Sequence, residues 1–132
     1  TPRVVNVSVL KTIAVGTSLT AGFVVGGAAS KTVLIRAIGP ALGLAPFNVA
    51  GFMPDPQLTL FDNSRAAVAA NNDWGGDAQV ALAAARVGAF AVANAASRDA
   101  MLFRTLAPGS YTANVSPFGA GGLVIVEIYE VP

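Results

Sequence analysis

The chain has 132 residues, with eight basic against seven acidic side chains, a length that suits one domain (1–132) with a core of its own. It is 54% hydrophobic and only 11% charged, where an ordinary soluble domain carries about 25% charged residues. It has no Cys and no His, which excludes disulfides, thiolate nucleophiles, Cys or His metal sites and the imidazole base of most acid–base enzymes.

In chain order, the dominant pattern is alternation with period two. Residues 3–11 set Val5, Val7 and Val9 on one face with Asn6 and Ser8 opposite, as in a half-buried strand. Apolar runs at 20–25 and 31–38 flank a Gly26-Gly27-Ala28-Ala29-Ser30 turn. Residues 39–56 hold several Pro and Gly and read as one long surface connection, with a helical turn at 41–44. Residues 57–62 turn Leu58 and Leu60 inward, and 66–71 return as the second arm of a hairpin. Asp77 stands as a helix N-cap and Gly88 as a helix end, so a helix over 77–87 is expected, with Val80, Ala84 and Val87 facing the sheet edge. Residues 101–106 and 110–116 pair around Pro108-Gly109, and 123–131 close the chain as a β-branched strand. Eight strands and one short helix predict an all-β, antiparallel, jelly-roll-like sandwich.

The low charge restricts what such a domain does. A compact globule of this mass exposes about 6,400 Å², or roughly one charge per 430 Å² here, sparser than the surfaces that keep monomers apart. Membrane insertion is not expected, because the longest uncharged run, 105–126, is broken by Pro108, Gly109 and Pro117. A net charge of +1 and six scattered Arg give nucleic acid no basic strip. With no initiator Met and no signal peptide, the sequence reads as a processed product or one unit of a longer chain. The remaining expectation is that neighbouring protein covers much of the surface.

Catalytic constellations are missing. Glu127 and Glu130, the only Glu, point to opposite faces of a strand. Ser30 and Lys31 are adjacent and diverge, and no phosphate-binding Gly pattern occurs. No enzyme and no cofactor are expected. The densest polar cluster runs from Asn71 to Asp77 and includes the single Trp, Trp74. Asn72, Asp73 and Asp77 supply oxygens that suit Ca²⁺, although Asx turns plus a helix cap account for the same residues and are favoured. Trp74 reads as a lid on the core or a subunit contact, with a carbohydrate platform as the alternative.

Several segments carry a resemblance when taken together: Arg-Val-Val-Asn-Val-Ser (3–8), Ala-Gly-Phe-Val-Val-Gly (21–26), Lys-Thr-Val-Leu-Ile-Arg-Ala-Ile-Gly-Pro (31–40), Asp-Pro-Gln-Leu-Thr-Leu-Phe-Asp (55–62), Asn-Asp-Trp-Gly-Gly (72–76), Ala-Pro-Gly-Ser-Tyr-Thr-Ala (107–113) and Val-Glu-Ile-Tyr-Glu (126–130). As a set they resemble a repeat domain found, often in tandem, in very large secreted or surface proteins of bacteria. The central portion is similar to the bacterial pre-peptidase C-terminal type of β-sandwich. That likeness implies Ca²⁺ at Asn72, Asp73 and Asp77 and adhesion to polysaccharide or matrix, as some members of the type show. Residues and resemblance together predict an extracellular structural protein at the bacterial surface, self-assembling or packed in tandem into a filament. Its assembly strands are the terminal ones, through Arg3, Val5, Val7, Val9, Leu123, Ile125, Ile128 and Tyr129. A Ca²⁺-assisted carbohydrate- or matrix-binding module is the alternative.

Overall fold

A computed structural model describes residues 7–132. Eight strands form in order: β1 Val7–Ile13, β2 Leu19–Val25, β3 Lys31–Ile38, β4 Pro56–Asp62, β5 Ala67–Asn71, β6 Ala100–Leu106, β7 Gly109–Pro117 and β8 Gly122–Val131, with α1, Ala78–Val87, between β5 and β6. They make two antiparallel four-stranded sheets, β1-β8-β3-β6 and β2-β7-β4-β5. This is the jelly-roll order, two interlocked Greek keys, as the alternating pattern predicts.

The inner core follows from that alternation. Leu58 and Leu60 of β4, Ala113 and Val115 of β7, and Val124, Val126 and Ile128 of β8 are buried between the sheets with Val33, Ile35 and Ala37 of β3. Phe23 stacks on Tyr111 at 5.6 Å, and the Tyr111 hydroxyl donates to the Ala107 carbonyl at 2.6 Å, closing the Pro108-Gly109 turn.

A second apolar layer lies on the outer face of the first sheet. There Leu34, Ile38, Met101, Tyr129 and Val131 are buried beneath Val80, Ala83 and Ala84 of α1. The helix starts and ends where expected. Asp77 accepts from Gln79 N and Val80 N, and Gly88 caps the C-terminus in the left-handed region at φ 75°. It differs in its seat: α1 contacts β3, β6 and β8, so it lies across the face of the sheet and not at an edge.

The long connection between β3 and β4 also departs from expectation. Its 3-10 turn, Pro40–Gly43, buries Ala41 and Leu42, and Met53 is fully buried. Met53 N donates to Leu123 O at 2.7 Å and Leu123 N to Gly51 O at 2.8 Å, so the segment continues the sheet beside the start of β8. Gly122 permits this, since a Cβ there would stand 2.7 Å from the Phe52 and Met53 backbone.

Candidate functional site

The terminal strands pair with each other. Val7, Val9, Lys11 and Ile13 of β1 stand opposite Ile128, Val126, Val124 and Gly122 of β8. Those β8 partners from Val124 to Ile128 belong to the inner core, so this row of β1 faces inward. Only Ile13 is buried there; Val7 and Val9 remain 40% and 36% exposed, and Leu10 on the opposite face is 58% exposed. The second sheet therefore leaves most of β1 uncovered. Strand β8 is different: β1 and β3 occupy both its sides. Ile128 and Tyr129 are buried, and Leu123 and Ile125 half-buried against the outer layer. Of the expected assembly residues, Val7 and Val9 are thus at a sheet edge, while the four on β8 are interior. Arg3 and Val5 lie outside the described residues.

Further apolar groups adjoin that edge. Val15, in the turn after β1, is 69% exposed, and Phe118, in the loop before β8, is 60% exposed. The two turns abut, since a Cβ on Gly121 would collide with the Ile13 carbonyl and stand 3.1 Å from Val15 N.

Around the loop that follows β5, the expected cation residues stand in distinct surroundings. Asp77 spends one carboxylate oxygen on the helix, Oδ1 accepting from Gln79 N at 2.8 Å and Val80 N at 3.3 Å. Asn72 buries its Oδ1 without a protein partner. Asp73 lies close enough to Asp55 to raise that carboxyl's pKa. Among the described residues, no group of three or more Asp or Glu converges on one point. Trp74 is half-buried and folded back: its Nε1 donates to Asn94 O at 3.2 Å and its backbone N to Asp99 O at 3.0 Å.

Three buried polar groups near this loop escaped sequence reasoning. Asp55 is 7% exposed, with Oδ2 3.7 Å from Arg98 Nη1 and Oδ1 buried without a partner. Burial, then the Asp73 charge, push its pKa above the ordinary carboxylate value, and Arg98 offsets part of this. Asp99, fully buried, accepts from Gly39 N at 2.7 Å and Ala41 N at 3.3 Å through Oδ1 and from the Ser97 hydroxyl through Oδ2. The third is an ion pair beneath α1. Arg36 Nε and Nη2 each lie 2.7 Å from Glu127 Oε1, and Nη1 donates to Phe90 O at 2.7 Å. The guanidinium also sits 4.4 Å from the centre of the Phe90 ring. Only the Asp-Pro before β4 marks Asp55 locally; Ser97 apart, the partners of the Asp99 and Arg36 side chains are 54 to 91 residues away, beyond any local pattern.

No protein-family model matches the chain, and no curated protein matches it. Among solved structures, the pre-peptidase C-terminal domain of a collagenase from Bacillus anthracis superposes with a TM-score of 0.56. The match covers 94% of this chain and 89% of that domain at 13% sequence identity. At that identity the likeness is one of fold. It carries the β-sandwich relation expected for the central portion to nearly the whole length. No helix among the described residues is long and apolar enough to cross a membrane.

Proposed function

We propose that this chain is a non-catalytic, extracellular structural module whose copies or tandem neighbours associate along the free β1 edge of the first sheet, building a filament or surface fibre. The observation that carries this reading is β1 itself: an edge strand with apolar side chains exposed on both faces, beside exposed Val15 and Phe118. Unpaired strand edges template association, and a surface poor in charge does little to oppose it. The extracellular setting rests on the resemblance to secreted and surface proteins. Static light scattering of the full chain is expected to show concentration-dependent growth, lost in Val9→Lys and in Leu10→Lys while far-UV circular dichroism is unchanged. Growth that persists in both variants would remove β1 from the interface.

A specific observation also favours a second reading, a Ca²⁺-assisted module for polysaccharide or matrix. Two buried oxygens, Asp55 Oδ1 and Asn72 Oδ1, lack partners, and Asp73 adds negative charge beside Asp55. This centres the cation reading on Asp55 and Asp73 with Asn72, and not on Asp77. Under it, millimolar CaCl₂ raises the Tm of the chain and Asp55→Asn abolishes the rise; an unchanged Tm excludes it.

A further inference from the structure

Between α1 and the outer face of the first sheet lies a cavity of about 160 Å³. Val80, Ala84 and Met101, all buried, form its floor, Trp74 forms one wall, and the exposed Ala85 and Ala91 stand at its mouth. Its walls are tied in place. Ala89 N donates to Ala84 O at 3.0 Å, Trp74 Nε1 to Asn94 O at 3.2 Å, and Arg36 Nη1 to Phe90 O at 2.7 Å. The segment after α1 is thereby held over the sheet, and alanine methyls leave space that larger side chains would fill.

We infer that this cavity is a binding site for a small, uncharged, ring-sized apolar molecule. Size sets the scale, since an apolar cavity of about 150 Å³ holds a benzene ring. Charge sets the class. Among the described residues Arg36 is the sole charged one of the lining. Its charge is paired with Glu127, whose Oε1 lies 2.7 Å from Nε and Nη2, Phe90 covers the guanidinium, and Nη2, though buried, makes no hydrogen bond. An anionic ligand would gain no free counter-charge there and would lose its own hydration. A neutral ring loses neither, and apart from Arg36 the lining offers it aliphatic groups and Trp74. The site stands apart from β1 and does not depend on association of copies.

Trp74 is the only Trp, so its emission reports on the cavity directly. Toluene titrated into the full chain is expected to shift that emission saturably and to raise the Tm, while benzoate at equal concentration does neither. Ala84→Leu, which fills the floor, should weaken the toluene response at least about tenfold. Ala85→Leu, at the exposed mouth, leaves the core packing alone and should do the same, so misfolding of one variant does not spoil the test. A non-saturable toluene response, equal binding of benzoate, or a response that survives both leucines would each overturn the assignment.

Discussion

Glu127 is buried with the Arg36 guanidinium 2.7 Å from its Oε1, and its charge acts on the neighbouring Tyr129 hydroxyl. Buried ion pairs are costly to break because the orphaned charge keeps its desolvation cost. Glu127→Ala is accordingly expected to destabilise the fold by about 3–5 kcal/mol, and Arg36→Met combined with Glu127→Leu by much less, read from urea midpoints. Tyr129 gives an alkaline signature. Burial and the neighbouring Glu127 charge push its pKa from 10.0 up to about 12. In that window the unfolded chain has lost the phenolic proton and the folded chain has kept it, so stability falls as pH rises from about 10 towards 12. Tyr129→Phe should lose stability less steeply over the same range. Asp55 works in the same sense at acid pH. Its raised pKa costs the ionised fold stability, and the cost is relieved as pH falls through that value towards 3.8. Without added cation, Asp55→Asn should raise the Tm at pH 7, the gain vanishing near pH 3.

At the scale of elements, α1 is legible from its ends and opaque in its placement. Asp77 and Gly88 mark a helix because cap chemistry is local, and Asp77→Ala should cost about 0.5–2 kcal/mol, measured by thermal unfolding. Nothing local says that the helix covers Leu34 and Met101 on a sheet face. The same distinction holds for the strands. Alternation at Leu58 and Leu60 or at Ala113 and Val115 reveals buried rows, because the pleat has period two. Edge status depends on partners far along the chain, and there β1 and β8, both apolar, part company. Residues 39–56 read as surface for the same reason: the groups that bury them, Asp99 and Leu123, lie some 60 or more residues on. The cation residues read as one cluster in sequence, yet Asp73 acts on Asp55, a neighbour supplied by the β4–β5 hairpin. Lys11, the single charge on β1, faces the inner side of the edge, a position that limits strand-to-strand pairing. Lys11→Val is therefore expected to strengthen association at a given concentration, measured by sedimentation velocity.

Over the whole molecule, the shortage of charge is deeper than composition indicates. Arg36, Asp55, Asp99 and Glu127 are buried, four of the fifteen charged side chains. The outer face of the second sheet adds none: Thr20, Asn114, Thr59 and Ala70 form one rung across all four strands. Such a surface offers little like-charge repulsion between copies, and the β1 edge offers them an apolar strand to meet. The most direct measurement is negative-stain electron microscopy of the purified chain at neutral pH without ligand. Regular filaments, thinned or abolished by Val9→Lys, are the expected result. Dispersed single particles at every concentration tried would contradict assembly through β1.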